Sequence, residues 1–136
     1  MHVEQESVAA AMKCLDDFMT AFNARDPDAL AKTLNLPMVR LQSGKLSVID
    51  QLGAQTRQAI EASVGEDWHH SSWSRRDVVH AGPDKVHVIA RFSRCRADGS
   101  TIASYDEIDV VTRENDHWGI KCRSSFAPLI EIPSAH

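Results

Sequence analysis

Apolar residues recur every three to four positions in the first part of the chain. Val8, Met12, Leu15 and Phe22 lie on one such stripe, with mostly polar residues between them. This is the spacing of one face of an α-helix. The pattern predicts a long amphipathic helix over about residues 4–24.

A second, shorter helix is predicted to follow directly. Asp26 is placed to accept backbone N–H bonds as the N-cap, and Pro27 suits the first helical position. Leu30 and Leu34 form its apolar face. Because Pro37 disfavours helical geometry at the residue before it, the helix is expected to end there.

A short strand and a third helix are predicted next. Residues 38–42 are too few for a helix and alternate weakly, and a Ser-Gly pair closes them. Ser47 followed by Asp50 is typical of an N-cap with an acid in the first turn, and Gly65 is placed to end that helix. Its buried side is predicted to comprise Ile49, Leu52, Thr56, Ala59 or Ile60, and Ser63.

From residue 68 onward the pattern changes to β-branched and aromatic residues at a period of two. Short turn signals rich in Gly, Asp and Asn divide this part into four segments. Because parallel neighbours would each need a crossover, short turns predict an antiparallel meander and an α+β class. The predicted strands cover about residues 68–80, 85–96, 101–113 and 117–127.

Long strands covered by only three helices are expected to bend, because a flat sheet would leave much of its face bare. Bending creates a concavity that the first two helices can close on one side. We therefore expect an apolar pocket with a few polar groups, and an opposite sheet face that seeks a second chain.

Composition narrows the class of protein. The chain has 136 residues, 43% of them hydrophobic, and a net charge of −4, which is ordinary for one globular domain. Scattered bases and the absence of a long apolar run favour a cytoplasmic protein that binds neither nucleic acid nor a membrane. Cys14, Cys95 and Cys122 lack metal-ligand spacing and are interpreted as free thiols. Residues 131–136 are expected to form a loose tail.

Two strings in the chain resemble those of a known superfamily. The first runs from Phe18 to Leu30, and the second from Val110 through the hairpin to Ile120. With the order of elements, they make about residues 6–128 similar to the nuclear transport factor 2-like superfamily. Within it, the chain resembles the SnoaL-like and ketosteroid-isomerase-like group. The resemblance implies a single domain with a cystatin-like cone of three N-terminal helices on a strongly curved, mostly antiparallel sheet, commonly dimeric through that sheet.

The resemblance also suggests roles for particular positions. In the isomerases a carboxylate removes a proton beside a carbonyl, and a Tyr and a protonated Asp hold the oxyanion. Here the base position falls on Gln42, the Tyr position on Phe18 and the Asp position on Asp109. An amide is not a useful base and a phenyl ring donates no hydrogen bond, so isomerisation of the ketosteroid type is disfavoured. Arg91 or Arg123 near an acid could imitate the Asp–Arg–Asp arrangement of other members.

Asp109 is the main candidate for acid–base chemistry. Alternation places it on one face with Tyr105, Glu107 and Val111, either towards the pocket, where burial would raise its pKa, or towards solvent. A final hairpin turn of two or four residues would set Asp109 opposite Cys122, and a turn of three opposite Arg123. An Arg partner would hold the acid ionised and favour binding of a carboxylate or hydroxyl group.

Histidines and aromatic residues supply further candidates. His69 and His70 would point to opposite faces of a strand, so no metal site is predicted, and His70 is instead a candidate base. No nucleotide or cofactor motif is present, and no cofactor is predicted. The predicted catalytic residues are Asp109, His70 and Tyr105, and the predicted substrate-binding residues are Phe18, Gln42, Trp73, Glu107 and Arg123.

Two functions remain open at this stage. The first is a pocket for a small, mostly apolar compound, either catalytic as an isomerase, cyclase, dehydratase or hydrolase, or merely binding. The second is a non-catalytic module that associates through its sheet. A homodimer fits both.

Overall fold

The computed structural model describes residues 2–130, with side chains from residue 4 onward. Three helices and six strands are found in this part of the chain. The helices are α1 (His2–Asn23), α2 (Pro27–Ala31) and α3 (Thr56–Val64), and the strands are β1 (Leu34–Gln42), β2 (Lys45–Ile49), β3 (His70–Ala81), β4 (Lys85–Cys95), β5 (Thr101–Glu114) and β6 (His117–Ser125). The predicted tail, residues 131–136, lies outside the described residues.

The six strands form one curved sheet in the order β2-β1-β6-β5-β4-β3. The strands β3 to β6 form the predicted antiparallel meander, with ends within three residues of those predicted. The strand β1 lies parallel to β6, which joins the N-terminal hairpin to the meander. The α+β class, with helices packed on a mostly antiparallel sheet, is therefore confirmed.

The predicted start of the third helix is wrong. Ser43 and Gly44 both have positive φ angles, 52° and 73°, which are the angles of a tight hairpin turn. Such a turn requires a second strand after it, so Ser47 lies in β2 and caps no helix. Helix α3 begins only at Thr56 and ends at Gly65 as predicted.

The second helix is also shorter than predicted. Asp26 is its N-cap, since Oδ1 accepts a hydrogen bond from the Ala29 backbone at 3.1 Å. Leu34, predicted to lie on the helix, instead begins β1, four residues before the predicted strand start. Pro37 lies where the pairing of β1 is interrupted, so its missing N–H leaves no ladder bond unmade.

Helix α1 packs its predicted apolar stripe on the concave face of the sheet. Leu15 and Ala11 are fully buried there against strand residues such as Val88 and Ile120. At the helix end, the Asn23 side chain bonds both backbone groups of Ser71, accepting from N at 2.7 Å and donating to O at 2.9 Å. The helix and the first residues of β3 are thereby held in a fixed relation.

The three cysteines are free, as predicted: Cys14 and Cys95 are buried and Cys122 is half-buried. Burial raises the pKa of the Cys14 thiol to about 12, so it is a neutral thiol at physiological pH. Among the described residues, no helix is both long and apolar enough to cross a membrane.

The junction of β1 and β6 depends on a close backbone approach at Gly119. A Cβ added there would lie 2.7 Å from the Asn35 backbone nitrogen and 2.7 Å from the Leu34 carbonyl carbon. The Asn35 side chain also donates to the Thr112 carbonyl at 2.8 Å. Only a residue without a side chain lets the parallel strands meet at this point.

We predict that Gly119→Ala lowers the free energy of unfolding by about 1–3 kcal/mol, because backbone atoms must move to admit the methyl group. Gly53→Ala is the matched control, since no atom lies within 4 Å of its added Cβ. Urea unfolding followed by circular dichroism measures both. Equal midpoints for the two variants would contradict the packing argument.

Candidate functional site

A hollow lies between the concave face of the sheet and helix α1. It consists of two adjoining cavities, the smaller one lined in part by β4 and β5 and the larger one in part by α2 and α3, both partly open to solvent. The two cavities share Phe18, Phe22, Gln42, Arg123 and Ile130.

The smaller cavity combines an apolar wall with a polar floor. Its apolar side chains come mainly from α1 and from the segment after β6, and its polar side chains come from the sheet. The apolar residues are Phe18, Met19, Phe22, Phe92, Ala127 and Ile130; the polar ones are Gln42, Ser71, Arg94, Glu107, Arg123 and Ser125.

The pairing of the strands determines which polar side chains form the floor of this cavity. Glu107 of β5 pairs with Ser125 of β6, which pairs with Gln42 of β1. In the neighbouring row Asp109 pairs with Arg123. Since side chains in one row of a sheet share a face, these rows direct a cluster of polar groups towards the helices.

The pairing of Asp109 with Arg123 depends on a β-bulge. The final hairpin has a two-residue turn, Asn115 and Asp116, which by simple counting sets Asp109 opposite Cys122. The register shifts by one residue between the pairs of Val110 and Val111, so Arg123 takes that place. The counting rule was therefore wrong for this hairpin, because it assumed an unbroken ladder.

Arg123 lies between two buried carboxyl groups. Its Nη2 donates to Glu107 Oε2 at 2.6 Å, and its Nε is 3.1 Å from Asp109 Oδ1, without hydrogen-bond geometry. The guanidinium carbon is 4.3 Å from the centre of the Phe18 ring. Glu107 and Asp109 are 3% and 0% exposed, so both carboxyl groups are shielded from water, whereas the Arg123 side chain remains 14% exposed.

One cation faces two acids here, and the two pKa values are driven apart. Burial raises the pKa of Asp109 well above its usual range, and the Glu107 charge raises it further, against the opposing effect of Arg123. Burial also acts to raise the pKa of Glu107. The positive charge of Arg123, together with the neighbouring Asp109 and Ser125 side chains, nevertheless holds this pKa below its usual range. These shifts favour an ionised Glu107 beside the charged Arg123 and favour the protonated form of Asp109.

Of the predicted substrate-binding residues, Phe18, Gln42, Glu107 and Arg123 line the smaller cavity. Trp73 does not: its ring packs against Phe92, and its Nε1 donates to the Leu15 carbonyl at 3.1 Å. The structure thus brings together four of the five.

The predicted catalytic residues have different positions. Asp109 faces inward but lies behind Arg123 and Glu107 and does not line either cavity. Tyr105 is on the same face, beside Phe92 and the Arg94 guanidinium. Their catalytic roles stay predictions.

His70 lies at the start of β3, next to Ser71, but its own side chain lines neither cavity. His69 precedes the strand, so strand alternation does not separate the two rings, whose Nδ1 atoms are 3.0 Å apart. Among residues 4–130, no group of three His, Cys, Asp or Glu side chains has an arrangement that could hold a metal ion.

Sequence reasoning missed Arg94, Ser71 and Ser125 as cavity residues. Arg94 follows Phe92 at the strand period, so the assignment of Phe92 to the concave face would have placed Arg94 there too. Ser125 could have been assigned by the same alternation from Arg123. No feature of the sequence around Ser71 indicated that it lines a cavity.

The chain is similar to known proteins both in sequence and in fold. Residues 5–123 match the family model described as NTF2-like protein (DUF6841). The chain belongs to this family. The predicted membership of the nuclear transport factor 2-like superfamily is thus confirmed. No curated protein matches the chain.

Solved structures share the fold at low sequence identity. A cystatin-like protein from Nostoc punctiforme has 13% identity and a TM-score of 0.67, with 88% of this chain and 90% of that chain covered. An NTF-2 like protein from Shewanella oneidensis has 17% identity, a TM-score of 0.63 and coverages of 88% and 98%. A ketosteroid isomerase-like protein from Erwinia carotovora atroseptica has 20% identity, a TM-score of 0.62 and coverages of 90% and 98%. At these identities the likeness establishes the fold alone.

The raised pKa of Asp109 predicts that the free energy of unfolding depends on pH. Because the folded-state pKa of Asp109 is above its ordinary value of 3.8, the carboxyl group makes its full contribution to the free energy of unfolding below pH 3.8. It is lost as the pH rises through the raised pKa. We predict that Asp109→Asn, which keeps the group neutral, removes this alkaline-side loss, as measured by urea unfolding between pH 4 and 9.

Asp106→Asn is the control, because Asp106 lies on the same strand with its side chain 62% exposed. This variant should keep the wild-type pH profile. Infrared spectroscopy should show a protonated carboxyl band at neutral pH that only Asp109→Asn abolishes. If neither variant loses the band, Asp109 is ionised in the folded protein.

Proposed function

We propose that this protein binds a small, mostly apolar molecule with one polar end in the hollow beneath helix α1. The observation that carries the proposal is the buried Arg123–Glu107 ion pair in the polar floor of a cavity whose opposite wall is apolar. The molecule's apolar part would lie against the Phe18, Met19 and Phe22 side chains. Its polar end would meet the floor.

The energetic cost of the floor supports a functional role. Taking an arginine and a carboxylate out of water costs several kcal/mol per ion, and apolar residues of similar size often give a more stable core. A second acid, Asp109, is fully buried beside them, and this burial raises its pKa. Perturbed groups of this kind next to a cavity are typical of functional sites.

The same geometry favours binding over proton abstraction. Glu107 is the carboxylate that faces the cavity, and its lowered pKa makes it a weak base at neutral pH. Asp109 has a raised pKa, but it has no exposed surface. The cluster is therefore suited to orienting and polarising a bound polar group, and the proposal is one of binding.

We predict that Met19→Trp weakens binding at least roughly tenfold, because the larger ring occupies the cavity that Met19 lines. The probe is 2-naphthol, a neutral fluorescent molecule with one polar end. Thr20→Trp is the matched control, since it adds the same ring one position along the helix at an exposed site.

Fluorescence titration measures both variants against the wild type. Saturable binding that Met19→Trp weakens and Thr20→Trp leaves unchanged supports the proposal. An absence of saturable binding to the wild type, or equal binding by both variants, would overturn it.

An association surface is the second candidate, and a distinct observation favours it. Leu46, Leu41, Ser124 and Ile108 lie opposite one another across β2, β1, β6 and β5. The exposed fractions of the three apolar residues are 67% for Leu46, 44% for Leu41 and 49% for Ile108. A row of exposed apolar side chains on the convex face is typical of an interaction site, here proposed to be a homodimer interface.

For this surface we predict that the protein elutes as a dimer and that Leu46→Asp shifts it towards the monomer, because a charge would be buried at the interface. Val79→Asp is the control, since Val79 is an exposed residue of β3 outside this row. Light scattering coupled to size-exclusion chromatography measures the mass. A wild-type monomer at high concentration would contradict the proposal.

A further inference from the structure

Within the part of the chain that the structure describes, Arg94 is a buried cation without an acidic partner. It is only 6% exposed, and its Nε is buried with no hydrogen bond. Among the described residues, its guanidinium forms no ion pair, and its aromatic neighbour is Tyr105, whose ring centre is 5.3 Å from the guanidinium carbon. Burial of a charge without a counter-charge is strongly unfavourable.

Arg94 reaches the smaller cavity from near the end of β4, the strand next to the edge strand β3. It lies on β4 and is directly opposite Ser71 of β3, and both side chains line that cavity. The Asn23 side chain fixes the Ser71 backbone, and Trp68 Nε1 donates to Ser71 Oγ at 3.0 Å. Because Oγ already accepts this bond, the Ser71 hydroxyl proton is left to donate elsewhere.

The charges lining this cavity favour an anion. Arg94, Arg123 and Glu107 are its charged residues, which gives a net charge of +1. The Glu107 charge is neutralised by Arg123 at 2.6 Å, so Arg94 supplies the uncompensated charge. Burial lowers the pKa of Arg94, but a guanidinium stays protonated in proteins.

We propose that the molecule bound in this cavity carries a carboxylate, and that Arg94, assisted by the Ser71 hydroxyl, binds it. The forked N–H groups of a guanidinium match the two oxygens of a carboxylate, and a single unpaired cation matches its single charge. The remaining wall is apolar, which selects a carboxylate attached to a hydrocarbon body. This inference rests on the proposed binding function and names the substrate class of that site.

The experiment compares short aryl-alkyl carboxylates with their neutral amides, represented by 4-phenylbutyrate and 4-phenylbutyramide, by isothermal titration calorimetry. We expect the wild type to bind the carboxylate at least roughly tenfold more tightly than the amide, the scale of one charge-assisted hydrogen bond. Arg94→Met should lose this preference and keep the affinity for the amide. Arg94→Lys should keep part of the preference, because the charge remains but the fork is lost.

Arg91→Met is the matched control. Arg91 lies on the same strand but on the outer face, where it pairs with Asp106 at 2.9 Å, so this variant should retain the wild-type preference. Arg94→Met should also be at least as stable as the wild type in urea, because an unpaired buried charge has been removed. A markedly less stable Arg94→Met would show that Arg94 has a structural role and would overturn the proposal.

The two proposals fail in different ways. Equal binding of carboxylate and amide by the wild type, or an unchanged preference in Arg94→Met, would overturn carboxylate recognition while leaving the binding cavity in place. A lack of binding by every carboxylate and amide of the series, together with no 2-naphthol binding, would overturn both. Tighter binding of the corresponding phosphate monoester than of the carboxylate would overturn the assigned class of anion.

Discussion

The arrangement of the concave face depends on the burial of Arg123 between two acids. A guanidinium in this position needs one ionised carboxylate, and the ion pair with Glu107 at 2.6 Å supplies it. Burial and the Glu107 charge then raise the pKa of the second acid, Asp109, because a second negative charge in the same space would be uncompensated. Glu107 and Arg123 balance each other, and the charge of Arg94 is left as the unbalanced charge of the cavity lining.

The helices give this cluster its environment. Phe18 of α1 covers the Arg123 guanidinium, and Ile130, after β6, closes the hollow from another side, with its carbonyl accepting from Arg40 Nη1 at 2.8 Å. The low dielectric that these apolar contacts create strengthens the ion pair and at the same time raises the pKa of Asp109. Packing and electrostatics are therefore two aspects of the same site.

Much of the fold could be predicted from the sequence, and the failures have physical reasons. Four long strands and the first helix follow from strong periodicity. Alternation places Asp109 and Glu107 on one face, but it does not decide whether that face points inward. Ser47 was misassigned because a capping residue and a strand residue look alike until the positive φ angles of the preceding turn are known. The bulge that brings Arg123 to Asp109 leaves no mark in the sequence. Arg94 was not recognised because β4 carries arginines on both faces.

The parallel pairing of β1 with β6 has a consequence for synthesis on the ribosome. The first hairpin leaves the exit tunnel about 70 residues before β6, the strand that completes its pairing. The edge of β1 that pairs with β6 therefore stays unpaired during this time. Gln42 and Arg123, which lie on these two strands, meet only when that long-range contact closes. The hollow beneath α1 is therefore among the last features of the nascent chain to form.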